Sequence, residues 1–183
     1  MTSFAERVAN LPPLGVGLGY RGPLRGSFQD PSAPIDCVEV VADHFFLPQA
    51  TSPKRPADLL ERPILVHGLD LSLGTPGPIP SDYLERYLAV ARGLDAALIS
   101  DHLAITRTSE VELGHLNPVP PTCRTRDEVA AKIRAIQEQA DLLFLLENVT
   151  THLRLPGELS FPELLNGICE VADCGILLDV TNL

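Results

Sequence analysis

Four apolar runs in this chain end in side chains that bind metals. His67 closes Ile64-Leu65-Val66 and is followed by Gly68. Asp101-His102 closes Ala97-Leu98-Ile99-Ser100, and Glu147-Asn148 closes Leu142-Leu143-Phe144-Leu145-Leu146. Asp179 closes Ile176-Leu177-Leu178, with Asn182 three residues on. Any one of these has a plain structural use: a histidine satisfies a local hydrogen bond, and an Asp or Glu caps the next helix. Four successive strand ends bearing His, His, Glu and Asp point to a cation instead, because carboxylates at an apolar mouth are costly unless paired. Mixed imidazole and carboxylate donors suit iron, manganese or zinc. No cysteine stands at these ends, which argues against a structural thiolate–zinc site. Two histidines and a carboxylate with open positions form the pattern of non-haem Fe(II) oxygen chemistry, and a carboxylate such as Glu147 can bridge two metals.

Other polar residues are candidates for supporting or substrate-facing roles. Glu39 lies inside the apolar run Val38-Glu39-Val40-Val41, where a carboxylate needs a polar partner. Asp43 and His44 follow that run, Asp101 and Asn148 adjoin the expected ligands, and His115 stands in Leu113-Gly114-His115-Leu116. His152 sits in a polar stretch and reads as solvated.

The elements that must position these groups are strand-like runs at residues 14–19, 37–42, 64–67, 96–100, 142–146 and 175–179. Most are continuously apolar, as in parallel sheets covered by helices. Three helices separate the later ones. Residues 81–93 place Leu84, Leu88 and Ala91 on one face and stop at Gly93. Thr125 and Glu128 form a capping box opening a helix to Ala140, with Val129, Ile133 and Ile136 inward. Ser160 and Glu163 form a second box ahead of Leu164, Leu165 and Ile168. Residues 23–34 and 48–62 are broken by prolines, and residues 103–106 and 111–113 read as a hairpin. The Gly15-Val16-Gly17-Leu18-Gly19 string falls within a strand and reads as close backbone packing.

This order fits an open doubly wound sheet or a (β/α)8 barrel. No GxGxxG opens a helix, which disfavours the dinucleotide-binding version. Polar residues at strand ends favour the barrel, whose chemistry sits at the carboxyl face. A barrel needs about 250 residues, and six strands are used by Asp179. The expectation is a single partial TIM-barrel domain over residues 1–183, with two C-terminal β/α units missing and apolar edges at an open seam.

Composition narrows the classes. The chain has 183 residues, 45% hydrophobic and 21% charged, so it carries enough apolar surface to fold. Its 24 acidic and 14 basic side chains give a net charge of −10, which disfavours nucleic acid and anionic membrane surfaces as partners. No apolar run approaches the roughly 18 residues of a membrane span. Glu6 and Arg7 interrupt the N-terminal stretch, so it does not read as a secretory signal. The four cysteines show no CxxC spacing; reduced thiols and a cytoplasmic location follow as expectations, with Cys37, Cys169 and Cys174 as small core residues.

The strings Gly15–Tyr20, Glu39–Phe45, Val66-His67-Gly68, Leu71–Gly74, Ser100-Asp101-His102-Leu103, Gly114-His115-Leu116, Leu146-Glu147-Asn148-Val149 and Leu178–Leu183 occur in that order. In this the chain resembles the multinuclear non-haem iron-dependent oxidative enzymes, long catalogued as an uncharacterised protein family. The resemblance covers nearly the whole chain. It implies a xylose-isomerase-like TIM barrel. It also implies oxidative modification of cysteines in ribosomally made precursor peptides, using two or three irons and O2. Examples are oxazolone–thioamide formation and carbon excision from a C-terminal cysteine.

Carried over by residue, the resemblance has His67, His102 and Glu147 hold one iron and Glu147 bridge to a second that Asp179 also binds. Asn182 would belong to a third. The family's ligands on strands seven and eight have no counterpart here, so the chain alone would hold at most one iron well. Thr181 stands where the family commonly has Asn, a minor departure at a position that is not a ligand. A cysteine-containing precursor peptide and a separate peptide-recognition protein are the implied partners. The alternatives are a divalent-metal sugar isomerase, epimerase or phosphodiesterase on the same barrel, and an inactive fragment that only binds metal.

Overall fold

The computed structural model describes residues 3–11, 13–46, 53–59, 61–150 and 152–182. Its strands are β1 (Gly17–Gly19), β2 (Cys37–Val41), β3 (Ile64–His67), β4 (Ala96–His102), β5 (Ile105–Arg107), β6 (Glu112–Asn117), β7 (Leu143–Glu147) and β8 (Gly175–Leu177). The α-helices are α1 (Phe4–Val8), α2 (Arg25–Gln29), α3 (Ser81–Gly93), α4 (Cys123–Ala140) and α5 (Phe161–Ala172). Six strands form one all-parallel sheet in the order β1-β2-β3-β4-β7-β8, and β5 and β6 form a separate antiparallel hairpin. Helices α3, α4 and α5 follow β3, the hairpin and β7 in turn. The architecture is the expected α/β order, with β1 and β8 as the two edges of the sheet.

Side chains alternate across the sheet as the pleat requires. Val38, Val40, Ile64, Val66, Ile99, Phe144 and Leu146 point to the helical side and are buried. They meet Tyr87 and Leu88 of α3, Ile133 and Ile136 of α4, and Leu164 and Ile168 of α5 in one core. Each such aliphatic side chain contributes about 1.5–3 kcal/mol on burial. The opposite face carries Cys37, Glu39, Leu65, Ser100, Glu147 and Leu177 around a cavity of about 330 Å³. Residues of both edge strands, Leu18 and Leu177, line that same cavity. The sheet is therefore curled into a half-barrel, with that face concave. The expected double-faced burial thus holds only on the helical side. Val16 and Leu178, beside the two edges, are 69% and 54% exposed.

Several boundaries differ from the sequence reading, each for a local reason. β1 is three residues rather than six: Gly15 adopts φ +61°, and the Asp36 carboxylate takes the Val16 N–H at 2.8 Å. A Cβ at Gly15 would fall 2.2 Å from that carboxylate, so this glycine serves a turn and not a strand. β8 stops at Leu177 because the Asp179 N–H is taken by the Asn148 side chain at 2.8 Å. β4 runs two residues further than expected, to His102. Helix α4 starts at Cys123, not at Thr125: Thr122 is its cap, accepting from the Thr125 N–H at 3.0 Å. The expected box fails because this earlier start places Thr125 inside the first turn, where its own N–H is bonded to Thr122. The Ser160–Glu163 box on α5 is present, and α3 has the expected bounds.

The hairpin is present but shifted toward the C-terminus. The first proline-broken segment folds as a 3-10 turn at Gly22–Leu24 followed by α2. The second holds a 3-10 turn at Ala57–Leu59, and its residues 48–52 and 60 lie outside the described residues. All four cysteines are free thiols, with Cys37 and Cys174 buried and Cys169 partly so. No helix among the described residues is long and apolar enough to cross a membrane.

Candidate metal centre

β4 and β7 end level with each other, and β3 ends two residues earlier along β4, on the same face of the pleat. The registers Val41↔His67, His67↔Ser100 and His102↔Glu147 bring the last residues of β3, β4 and β7 side by side on the concave face. His67 Nε2 lies 3.3 Å from His102 Nε2, and Glu147 Oε2 lies 3.5 Å and 3.6 Å from those two nitrogens. The two imidazoles meet edge to face, 4.6 Å apart at 80°. Among the described residues these three form the cluster with metal-binding spacing. The centre of that triangle lies about 2.0 Å from each corner, the length of a first-row metal bond to imidazole nitrogen or carboxylate oxygen. Both histidines are buried, at 5% and 8% exposure.

The far side of each ring fixes its direction. His67 Nδ1 is 2.9 Å from the Ser100 hydroxyl. His102 Nδ1 donates to Asp101 Oδ1 at 3.3 Å, and the same oxygen accepts the His102 backbone N–H at 2.6 Å. A carboxylate only accepts, so the proton sits on Nδ1 and the Nε2 lone pair faces the triangle. Asp101, 1% exposed, is held in turn by the Leu71 N–H at 3.0 Å. Gly68 is required beside it: a Cβ there would fall 2.5 Å from Asp101 Oδ2 and 3.0 Å from the Tyr87 ring. The loop after β3 is pinned further by Tyr83, whose hydroxyl donates to Asp43 at 3.0 Å and accepts from the Asp70 N–H at 3.0 Å.

The electrostatics describe a site short of positive charge. Burial pushes the Glu147 carboxyl up to about 6, against the pull of His102, while Asp179, Glu39 and Asp101 add to the rise. Burial also holds His67 below the ordinary imidazole value. Burial opposes protonation of His102 too, but its hydrogen bond to Asp101 and the charges of Asp101 and Glu147 outweigh this and raise it. Two lone-pair nitrogens and a carboxylate oxygen crowded within 3.6 Å repel one another unless a proton or a cation sits among them. The donor set and its spacing fit a first-row metal.

The remaining sequence candidates fall around this triangle. Glu39 and Asp179 line the concave cavity with Glu147. Asp179 is not part of the three-residue cluster. Its carboxylate accepts from Thr181 and, at 2.7 Å, from Asn182 Nδ2, and the Thr181 bonds hold it below the usual carboxylate range. Asn182 also donates to the Asn148 carbonyl at 3.0 Å, and its side-chain oxygen accepts from Thr150. Asn148 is buried and joins β7 to the end of β8 through paired bonds with the Asp179 backbone, at 2.8 Å and 2.9 Å. Asp43 supports the loop through Tyr83; its burial raises its carboxyl despite that bond. His44 and His152 are exposed, and His115 is exposed on β6. Ser100 and Tyr83 were not among the sequence candidates. Ser100 was findable, since it lies two residues before His102 and so faces the same side of β4.

A family model described as RiPP precursor modification enzyme MbnB/TglH/ChrH matches residues 15–183. The chain belongs to this family. RiPPs are ribosomally made peptides modified after translation, so the family's printed activity is enzymatic modification of a precursor peptide. Relatives include a UPF0276 protein of Rhizorhabdus wittichii, 35% identical over 91% of this chain and 61% of its own length. A UPF0276 protein of Neisseria meningitidis is 32% identical over 91% of the chain and 61% of its own length. One from Pseudomonas aeruginosa is 31% identical over 97% of the chain and 58% of its own length. The chain thus spans about three fifths of the length of these curated relatives.

Proposed function

We propose that the whole protein is a non-haem iron enzyme of xylose-isomerase-like barrel type, which oxidises cysteine residues of a ribosomally made precursor peptide using O2. The observation that carries this reading is the triangle of His67 Nε2, His102 Nε2 and Glu147 Oε2, with edges of 3.3–3.6 Å, in a chain of a peptide-modifying family. These three residues would hold the iron, which would supply O2 activation and a seat for a substrate thiolate. The protein's own residues do the positioning. Ser100 and Asp101 orient the two imidazoles, Gly68 lets Asp101 approach, and the concave face shields the reacting groups from bulk water.

Glu147 faces Asp179 across the cavity, and both face Glu39. We assign Glu147 and Asp179 to a second iron and Asn182 to a third, completed by residues of the two β/α units that a full barrel adds. A separate peptide-recognition protein and a cytoplasmic location belong to the same reading. The 183-residue chain by itself then holds at most one Fe(II) with appreciable affinity and does not turn over. The test is anaerobic Fe(II) loading with elemental analysis, followed by O2 uptake with a cysteine-containing peptide, on this chain and on the whole protein. One iron and no uptake in the chain, with several irons and peptide-dependent uptake in the whole protein, is the expected result. A whole protein that takes up iron but leaves every cysteine peptide unoxidised sinks the oxidase reading in favour of isomerase or hydrolase chemistry.

A further inference from the structure

The hairpin carries a feature that the metal centre does not use. Its ladder jumps from Ile105↔Asn117 to Arg107↔Glu112, so residues 113–116 of β6 face only Thr106 of β5 and bulge outward. Gly114, at φ +62° with open space where a Cβ would be, turns the bulge. Bulges of this kind re-aim side chains and gather beside active sites.

The hairpin is not a loose flap. The outer edge of β5 is fastened to the 72–75 loop: Ala104 O accepts from the Gly74 N–H at 2.9 Å, and the Ser72 hydroxyl accepts from the Thr106 N–H at 2.8 Å. Arg107 pairs with Asp70 at 3.2 Å and lies over the Tyr83 ring at 5.1 Å. The bulge is thus carried on an anchored strand and forms a wall.

Between that wall and the turn at residues 69–70 lies a cavity of about 400 Å³. His102 of the metal triangle forms part of its lining, so the cavity borders the candidate metal centre. Leu69, 40% exposed, and Leu116 give it an apolar side. Glu112 and His115 give it a polar rim, and Glu112 has no ion-pair partner among the described residues. A solvent-facing groove with apolar walls, an unpaired carboxylate and a metal-site histidine is built to hold a ligand.

We propose that this groove seats the segment of the precursor peptide that flanks the modified residue, with an apolar side chain between Leu69 and Leu116 and a lysine or arginine against Glu112. This rests on the peptide-modification reading above and adds the residues that select the sequence. Two observations choose the occupant. The groove adjoins the triangle through His102, so whatever fills it lies beside the candidate centre. The free carboxylate on a chain of net charge −10 favours a cationic neighbour.

The experiment uses fluorescein-labelled pentapeptides with one central cysteine and with Leu, Lys, Glu or Gly scanned through the flanking positions. Binding to the chain is read by fluorescence anisotropy, with and without Fe(II). Peptides carrying Leu and Lys on one flank should bind at least about tenfold tighter than those carrying Glu. Glu112→Lys should reverse the charge preference, and Leu116→Asp should remove the Leu preference. Circular dichroism and iron content should match the unaltered chain in both variants. His67→Ala, which lies outside the groove lining, should lose iron and keep the flank preference, so failure of the iron reading and failure of the groove are told apart. Absence of any flank preference, or a preference that Glu112→Lys leaves unmoved, overturns the proposal.

Discussion

The ends of β3, β4 and β7 and the end of β8 carry the same kinds of residue but hold them by different means. At the first, His67 and His102 are buried, and hydrogen bonds with Ser100 and to Asp101 set their rings on a sheet backed by the helical core. At the second, Asp179 precedes a 3-10 turn that ends at Asn182, beside an edge strand, and the two are held by Thr150, Thr181 and Asn148. The core fixes the first set to within a metal-bond length of a common point. Only local polar bonds fix the second set, and the edge strand beside it has a partner on one side alone. The first set therefore has the spacing and rigidity of a metal centre, whereas the second has neither.

The largest effect that probes this difference is removal of a corner of the triangle. His67→Ala or Glu147→Ala should lower Fe(II) affinity of the chain by more than about 100-fold, beyond the usual loss from an outer partner. His152→Ala should leave it unchanged. Equilibrium dialysis under anaerobic conditions measures all three. Iron binding that survives Glu147→Ala would falsify the ligand assignment.

Asp101→Asn comes next. Asparagine keeps the size but can present its amide N–H to His102 Nδ1, which turns the proton, and with it the lone pair, the wrong way. A loss of about 10–100-fold in metal affinity is expected, with the fold retained by circular dichroism. Gly68→Ala should resemble it, since its Cβ would push Asp101 aside. Equal affinity in both variants would show that ring direction does not limit binding.

How much of this was legible beforehand follows from how each residue is held. His67, His102 and Glu147 could be read because a parallel sheet in sequence order sends successive strand ends to one mouth, and the apolar runs before them set the phase. The structure bears out the strand order and the convergence of those three. Thr122 was missed as a cap because Thr125 and Glu128 match the capping-box spacing, and two threonines three residues apart compete for the same role. The short β1 was missed because glycines spaced by two look like a strand unless Asp36, twenty residues away, is known to take the Val16 N–H. Asp101 was named only as a neighbour of His102; its grip on the ring depends on the 68–71 loop crossing β4, a tertiary fact.

Acid should act on the metal-free chain in a defined direction. Glu147 has its carboxyl raised from 4.5 to about 6, mainly by burial, so the folded chain holds a proton that the unfolded chain releases. That contribution to stability is fully present below pH 4.5 and is lost as pH rises through about 6. Urea melts of the chelator-treated chain at pH 4.5 and 7 should show it, and Glu147→Gln should flatten it. Added Fe(II) should reverse the trend, because the metal binds the carboxylate and competes with the proton. A metal-free chain that gains stability from Glu147 as pH rises would mean that this carboxylate is not starved of positive charge.

The smallest expected effect sharpens the comparison most. Asp179→Ala on the chain removes a charge that faces Glu147 but is not a corner of the triangle. Two consequences oppose each other. Loss of Asp179 relieves repulsion on the Glu147 carboxylate, which favours metal binding, and it removes an attraction for the cation. The net change in affinity for the first Fe(II) should stay under about fivefold, the scale of a solvent-screened charge pair. In the whole protein the same substitution should remove one iron equivalent, since there Asp179 has the rest of the barrel to complete its site. Elemental analysis of both proteins, each with and without the substitution, reads this directly. If the chain alone already loses its first iron on Asp179→Ala, the two regions form one site and the distinction between core-held and turn-held ligands fails. If the whole protein keeps its full iron complement, Asp179 is only a strap joining β7 to β8 through Asn148.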